Sequence, residues 1–205
     1  MKILSINASP HGEASTGFAI AHEIEQRVRS LTTSRFERVS RDLVAEPLSP
    51  ISQEYALAIT SRDPDLSKFE TSERLICELE STDVLVINTP VHNFTVPASL
   101  KLWIDHVLRI GRTFVPTPDG KVGLMKDRPT IVIVGSGGFH VGERARQPDF
   151  LTPYVTHALG SIGIKDVRYI RLQGLVYGPD AVNLALEEAR AELNLHPLFA
   201  TSAVF

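Results

Sequence analysis

Hydroxyl, amide and imidazole side chains gather in three short stretches of this chain, each just after an apolar run. Ser9-Pro10-His11-Gly12-Glu13-Ala14-Ser15-Thr16 follows Ile3–Asn7. Thr89-Pro90-Val91-His92-Asn93-Phe94 follows Val84-Leu85-Val86-Ile87. Gly135-Ser136-Gly137-Gly138-Phe139-His140 follows Ile131-Val132-Ile133-Val134. In the first stretch Ser9, Ser15 and Thr16, with Gly17 next, put hydroxyl donors around a helix start. The unpaired N–H groups and positive dipole end of a helix N-terminus favour an anion, so a monophosphate fits there without a lysine. Read alone, Ser15 serves equally as a plain helix cap and Ser9 as a turn residue. In the third stretch, side chains missing at Gly137 and Gly138 would let backbone approach a flat ring. Together the stretches suit a flat, phosphate-bearing cofactor.

Other chemistries fit less well. No Gly-x-Gly-x-x-Gly follows the first strand, and no Gly-x-x-x-x-Gly-Lys-Ser/Thr is present to cradle a triphosphate. A Gly-x-Ser-x-Gly elbow is absent, which weakens a hydrolase reading. His11, His92 and His140 come from separate loops with no acidic partner or tight spacing, so a zinc triad is not expected. The single cysteine, Cys77, allows no internal disulfide or cysteine-cluster metal site, and its apolar neighbours suggest a partly buried structural thiol. A net charge of -3, from 21 basic and 24 acidic residues, argues against a partner held through phosphate contacts such as nucleic acid. No apolar stretch approaches the roughly 18 residues of a membrane span. The apolar run within Met1–Ile6 is too short for a signal peptide, so the cytoplasm is the expected compartment.

The elements that must position these loops alternate. Ile3–Asn7 reads as a strand. Ile20, Ile24, Val28 and Leu31 mark a helix, and Phe36 and Val39 a second strand. Residues 41–66 are polar, with prolines at 47, 50 and 64, and form an excursion with at most a short helix. Ser67 and Glu70 resemble a capping box ahead of a helix carrying Leu75, Ile76 and Leu79. The continuous run Val84–Ile87 suits a parallel strand covered on both faces. Pro97 falls in the first turn of a helix with Leu100, Ile104, Val107 and Leu108, ended by Gly111. Thr113–Met125 forms an insertion with a hairpin turn at Asp119-Gly120. Ile131–Val134 is the fourth strand, and Leu151, Val155 and Leu159 belong to the next helix. Val167–Leu172 is the fifth strand, and Pro179 opens a last helix with Leu186, Ala189 and Leu193, closed by Pro197. Five β-α units joined by right-handed crossovers give a three-layer α/β sandwich in one domain, residues 1–205. Ligands of such sheets sit outside the carboxyl ends of the strands, where the order reverses.

The ordered set of motifs resembles the FMN-dependent NADH azoreductases of the flavodoxin-like quinone reductase superfamily. It comprises the Ser9 loop, Thr89–Phe94, Leu100-Lys101-Leu102-Trp103-Ile104-Asp105, Gly111-Arg112-Thr113-Phe114, Gly123-Leu124, Gly137–His140, Leu151–Tyr154 to Gly163-Ile164, and Tyr177-Gly178-Pro179. The resemblance implies a flavodoxin-like fold with a five-stranded parallel sheet in the order 2-1-3-4-5 and helices on both faces. It implies FMN as cofactor and NADH or NADPH as donor. Quinones and aromatic azo compounds would be the acceptors, served by a ping-pong mechanism in which the flavin carries the chemistry and no residue acts as nucleophile.

It further implies that Ser9, Ser15, Thr16 and Gly17 hold the phosphate. Pro90, Val91, His92, Asn93 and Phe94 would follow one edge of the isoalloxazine, and Gly135, Ser136, Gly137, Gly138 and His140 its pyrimidine end. His140 would donate where reduction leaves negative charge, favouring the reduced flavin. His92 stands where relatives often carry Tyr and could tune substrate choice. Ser136 stands where many relatives carry a bulkier or charged residue. Relatives are usually homodimers with the site at the junction, and Phe114, Phe139 and Phe150 are candidates for an aromatic wall over the flavin. Two other readings stay open: an electron carrier served by a partner reductase, and a flavin fold that has lost catalysis.

Overall fold

The computed structural model describes residues 1–199. In chain order the elements are β1 (Lys2–Asn7), α1 (Thr16–Ser30), β2 (Glu37–Asp42), α2 (Gln53–Thr60), α3 (Glu70–Glu80), β3 (Val84–Pro90) and α4 (Ala98–Val107). They continue with β4 (Phe114–Thr117), β5 (Gly120–Gly123), β6 (Thr130–Gly135), α5 (Leu151–Ser161), β7 (Val167–Leu172) and α6 (Pro179–Asn194). The main sheet has the order β2-β1-β3-β6-β7, and every neighbouring pair is parallel. With the hairpin β4-β5 set aside, this is the 2-1-3-4-5 order expected from the resemblance.

Strand alternation sends one set of side chains to each face. Leu4, Ile6, Leu85 and Ile87 meet Leu75, Leu100, Trp103 and Val155 from α3, α4 and α5. Ile3, Val84, Val86, Ile131 and Ile133 meet Ile20, Ile24 and Val28 of α1 and Ala185, Ala189 and Leu193 of α6. Each such buried Val, Leu or Ile side chain contributes roughly 1.5–3 kcal/mol relative to exposure. The site therefore rests on a sheet buried on both sides.

Ion pairing ties α3 to the segment after α4. Arg109 and Arg112 both bond the Glu73 carboxylate, and Arg112 reaches Glu80 at 2.6 Å as well. Hydrogen bonds from Arg112, opposed in part by burial and reinforced by Arg109, lower the Glu73 carboxyl to about 2.

Several expectations change. The Ser67–Glu70 capping box does not form. The Asp65 carboxylate takes the Ser67 amide at 3.0 Å and starts a 3₁₀ turn, Leu66–Phe69, so α3 begins only at Glu70. Gly111 does not end α4. That helix stops at Val107, whose carbonyl accepts the Thr113 hydroxyl at 2.7 Å, and Gly111 (φ 73°) turns the chain toward Phe114. Pro97 is the residue before α4 rather than inside its first turn. Leu31 caps α1 and is exposed. Cys77 is exposed rather than partly buried, because it lies on the outer face of α3 while Leu75, Ile76 and Leu79 turn inward. Asp119-Gly120 does lie in the hairpin turn, with Gly120 paired to Thr117.

Candidate functional site

All three loops leave the carboxyl ends of adjacent strands, β1, β3 and β6. The sheet order reverses between β1 and β3, where loops one and two diverge, and this is where ligands of doubly wound sheets bind.

Loop one carries unused donors. Ser15 caps α1 by accepting the Phe18 amide at 3.2 Å, and Ser9 Oγ accepts the His11 amide at 3.3 Å. The hydroxyl protons of Ser9, Ser15 and Thr16 find no acceptor among the described residues, and the amides of Thr16 and Gly17 belong to the unpaired first turn. Side-chain O–H groups, free amides and the helix dipole thus gather at one point. Gly17 has a local packing duty as well. Its bare Cα lets Asn88 pack against α1.

Loop two is a tight turn. His92 and Thr95 exchange backbone hydrogen bonds of 2.9 and 3.1 Å, while Asn93 (φ 47°) and Phe94 (φ 75°) both lie in the left-handed region. Asn tolerates that conformation, but an aromatic residue there is strained by about 1–3 kcal/mol. The turn leaves the Phe94 ring 46 % exposed, and its carbonyl accepts the Phe150 amide at 3.3 Å. The Val91 amide bonds the Gly135 carbonyl at 2.8 Å, clipping loop two to loop three.

Loop three is braced from behind. The Ser136 hydroxyl donates to the Gly138 carbonyl at 2.8 Å, and Gln173 Oε1 accepts the amides of His140 and Val141 at 2.8 and 3.1 Å. Ser136 is buried, so its small size serves the loop's own packing. A Cβ on Gly137 would lie 2.7 Å from a methyl of Val176, so this glycine also answers to the protein's own packing. At Gly138 the nearest atom to such a Cβ is 3.8 Å away, which leaves room for a ligand. His140 Nδ1 lies 3.1 Å from the Pro148 carbonyl oxygen. That oxygen only accepts, so Nδ1 carries the proton, and Nε2 donates only when the ring is cationic.

Loops two and three share one cleft of about 230 Å³, lined by Val91, Asn93, Phe94, Ser136, Gly137, Gly138, His140 and Gln147. Gln147 was not anticipated from the sequence; it arrives from a loop without periodicity. His92 does not line this cleft. It faces, with Thr95, Val96, Lys101 and Tyr154, a separate cleft of about 540 Å³ across the turn. Pro90 and Gly135 pair within the sheet and set the spacing of the loops. Loop one lies outside the cleft. Of the aromatic wall, Phe114 is only 7 % exposed and packed in the core, and Phe139 is stacked on Tyr177 (5.8 Å) beneath Arg144 (4.3 Å). Phe150 remains open, at 57 % exposure. No three His, Cys, Asp or Glu side chains among the described residues stand where they could hold a metal ion.

These features fit flavin mononucleotide: hydroxyls and amides without acceptors for a phosphate, and an open glycine flanked by free amide and imidazole groups for a ring. A flavodoxin-like fold family matches residues 1–196. The chain is 56 % identical to an FMN-dependent NADH:quinone oxidoreductase from Pseudomonas fluorescens, over 96 % of each chain. It is 49 % identical to another from Burkholderia lata, over 98 % of this chain and 97 % of that one. The crystal structure of an azoreductase from Bacillus anthracis superposes with a TM-score of 0.80 at 22 % identity, covering 96 % of this chain and all of the other. With its sheet order, its three loops and these relatives, the chain belongs to the flavodoxin-like family of FMN-dependent NADH:quinone oxidoreductases.

Proposed function

We propose that this chain, acting as one flavin-binding unit, is an FMN-dependent oxidoreductase that draws electrons from NADH or NADPH and passes them to quinones and aromatic azo compounds. The observation that carries this reading is the meeting of loops two and three in one cleft, next to a loop whose donors have no acceptor of their own. Bound FMN would supply the two-electron chemistry, from nicotinamide hydride to acceptor.

The chain's part is to hold and tune. Ser9, Ser15 and Thr16 donate hydroxyls, and Thr16 and Gly17 amides, to the phosphate. Val91, Asn93 and Phe94 follow one ring edge, with Asn93 offering its unengaged amide. Gly138 leaves space for the ring, while Ser136 and Gly137 keep the loop in place. When protonated, His140 would donate from Nε2 to the ring edge that becomes negative on reduction. His92, across the turn, bears on the choice of acceptor.

A cleft of about 230 Å³ is smaller than the roughly 300–1,000 Å³ usual for a small-molecule site. Exposed Phe94 lines it, and exposed Phe150 is tied to Phe94 by its amide. A second copy of the chain closing over these rings would complete the enclosure, so the working form is a homodimer with the site at the junction. Among the described residues no helix is long and apolar enough to cross a membrane. The setting on this reading is the cytoplasm, where the nicotinamide donor is found.

The test is to add FMN to the purified protein, remove the excess and then add NADH without oxygen. Retained flavin that bleaches rapidly and is reoxidised by a quinone supports the enzyme. Retained flavin that NADH cannot bleach favours an electron carrier, and failure to retain flavin rejects the site.

A further inference from the structure

Asn88 lies in β3, just ahead of loop two, yet its side chain bonds into loop one. It lies near the end of β3, opposite Asn7 in the pairing of β1 with β3, and is buried. Its amide nitrogen donates to Asn7 Oδ1 at 2.9 Å and to Ser15 Oγ at 3.1 Å. Ser15 Oγ also takes the Phe18 amide at 3.2 Å. A hydroxyl oxygen has two lone pairs and one proton. Both lone pairs of Ser15 are therefore filled from within the chain, and its proton is the only capacity left. An acceptor-only group, such as a phosphate oxygen, matches it.

The polarity of this arrangement is fixed from the far end. Asp42 closes β2, and its carboxylate accepts Asn7 Nδ2 at 2.9 Å and the amides of Val44 and Ala45, each at 2.9 Å. Partial burial pushes the Asp42 carboxyl up, but these donors outweigh it and hold the group below its ordinary value. A carboxylate can only accept, so Asn7 must turn its nitrogen toward Asp42. Its oxygen then faces the Ser9 amide at 3.2 Å and Asn88. Asn88 must in turn present its nitrogen to Asn7, and the second proton of that nitrogen reaches Ser15.

We propose that Asn88 is a positioning residue which, oriented by Asp42 through Asn7, commits the Ser15 hydroxyl to donate to the FMN phosphate. The inference rests on the reading of loop one as the phosphate cradle. It gives Asn88 an effect confined to the phosphate: riboflavin, which shares the ring and lacks the phosphate, does not use it.

The experiment is fluorescence titration of flavin-free protein with FMN and with riboflavin, for wild type, Asn88→Ala, Ser15→Ala and the double variant. Wild type binds FMN more tightly than riboflavin. Asn88→Ala loses about tenfold or more in FMN affinity, the scale of one hydrogen bond to a charged group, and keeps riboflavin within about twofold. In the Ser15→Ala background the same change costs FMN no more than about twofold, because the hydroxyl it directs is gone. Asn88→Asp, similar in size but able only to accept, is the second variant, and it too loses FMN and keeps riboflavin. Unchanged FMN affinity, equal loss of both flavins in both Asn88 variants, or the same cost with and without the Ser15 hydroxyl overturns the proposal. If wild type itself binds FMN and riboflavin alike, the phosphate cradle falls, and this inference with it. If wild type discriminates and Asn88→Ala discriminates equally, only the role of Asn88 falls.

Discussion

A β-carbon on Gly17 would stand 2.1 Å from Asn88 Oδ1. The first turn of α1 is thereby seated directly on the end of β3, and one methyl group is enough to part them. Gly17→Ala should cost about 1–3 kcal/mol of stability, as overpacking does, and weaken FMN by moving the helix start from its place. Chemical denaturation and FMN titration on the same preparation check both. Unaltered stability would show that the helix has slack.

Gly138→Val should weaken flavin binding while the fold persists, because a β-carbon there meets only the end of the Gln147 side chain, at an ordinary contact distance of 3.8 Å. Gly137→Ala should do less to either. Its methyl group would stand 2.7 Å from a methyl of Val176, a side chain 73 % exposed and free to turn aside, so stability should change by less than about 1 kcal/mol and flavin retention less than in Gly138→Val. Comparing thermal midpoints with flavin retention separates the two. Equal retention by wild type and Gly138→Val would refute the placement of the ring beside loop three.

These paired glycines also show what could be read from the residues alone. The strands Val84–Ile87 and Ile131–Val134 were legible because a parallel strand covered on both faces needs an unbroken apolar run. The loops were legible because parallel strands put all their carboxyl ends on one edge. What each glycine is for was not. Gly17 answers to Asn88, 71 positions on, and Gly137 to Val176, so their constraints exist only after the sheet has formed. Asn88 itself sits just beyond an apolar run, where a strand end and a network member look alike. The resemblance made Phe114 a candidate for the aromatic wall, but it turns into the core.

His140→Ala should lower the flavin midpoint potential by about 30–60 mV, the two-electron equivalent of one hydrogen bond to a charged group, with little change in FMN affinity. Equilibration with a redox dye measures it. With Nδ1 held by the Pro148 carbonyl, Nε2 is the nitrogen left to face the ring. An unchanged potential would mean that His140 acts only by shaping the loop.

Glu73→Gln should destabilise the protein at pH 7 by about 1–2 kcal/mol. The 43 % exposure of the Glu73 side chain keeps this below the cost of breaking a fully buried pair. The Glu73 carboxyl is depressed from 4.5 to about 2 in the fold. Its contribution is therefore present above about 4.5 and is lost as pH falls toward 2. Urea midpoints of wild type and variant should differ at pH 7 and converge over that window.

Phe150→Asp should shift the protein toward monomer and weaken flavin retention, since it puts a charge on the open ring beside the cleft. Sedimentation velocity at several concentrations reads the first effect. A variant that remains dimeric would place the contact elsewhere.

Asn7 and Asn88 are 81 residues apart in sequence and Ser15 and Asn88 are 73 apart, yet together they shape loop one. No local segment can fold this cradle by itself. Closing so long a loop is slow, and it must precede the contacts that reward it. While the chain leaves the ribosome, the first 87 residues can form β1, α1 and β2 but still lack the residue that orients Ser15. Cofactor capture is therefore a late event in the life of the polypeptide, and bound flavin stabilises the assembled sheet as a whole rather than any fragment of it.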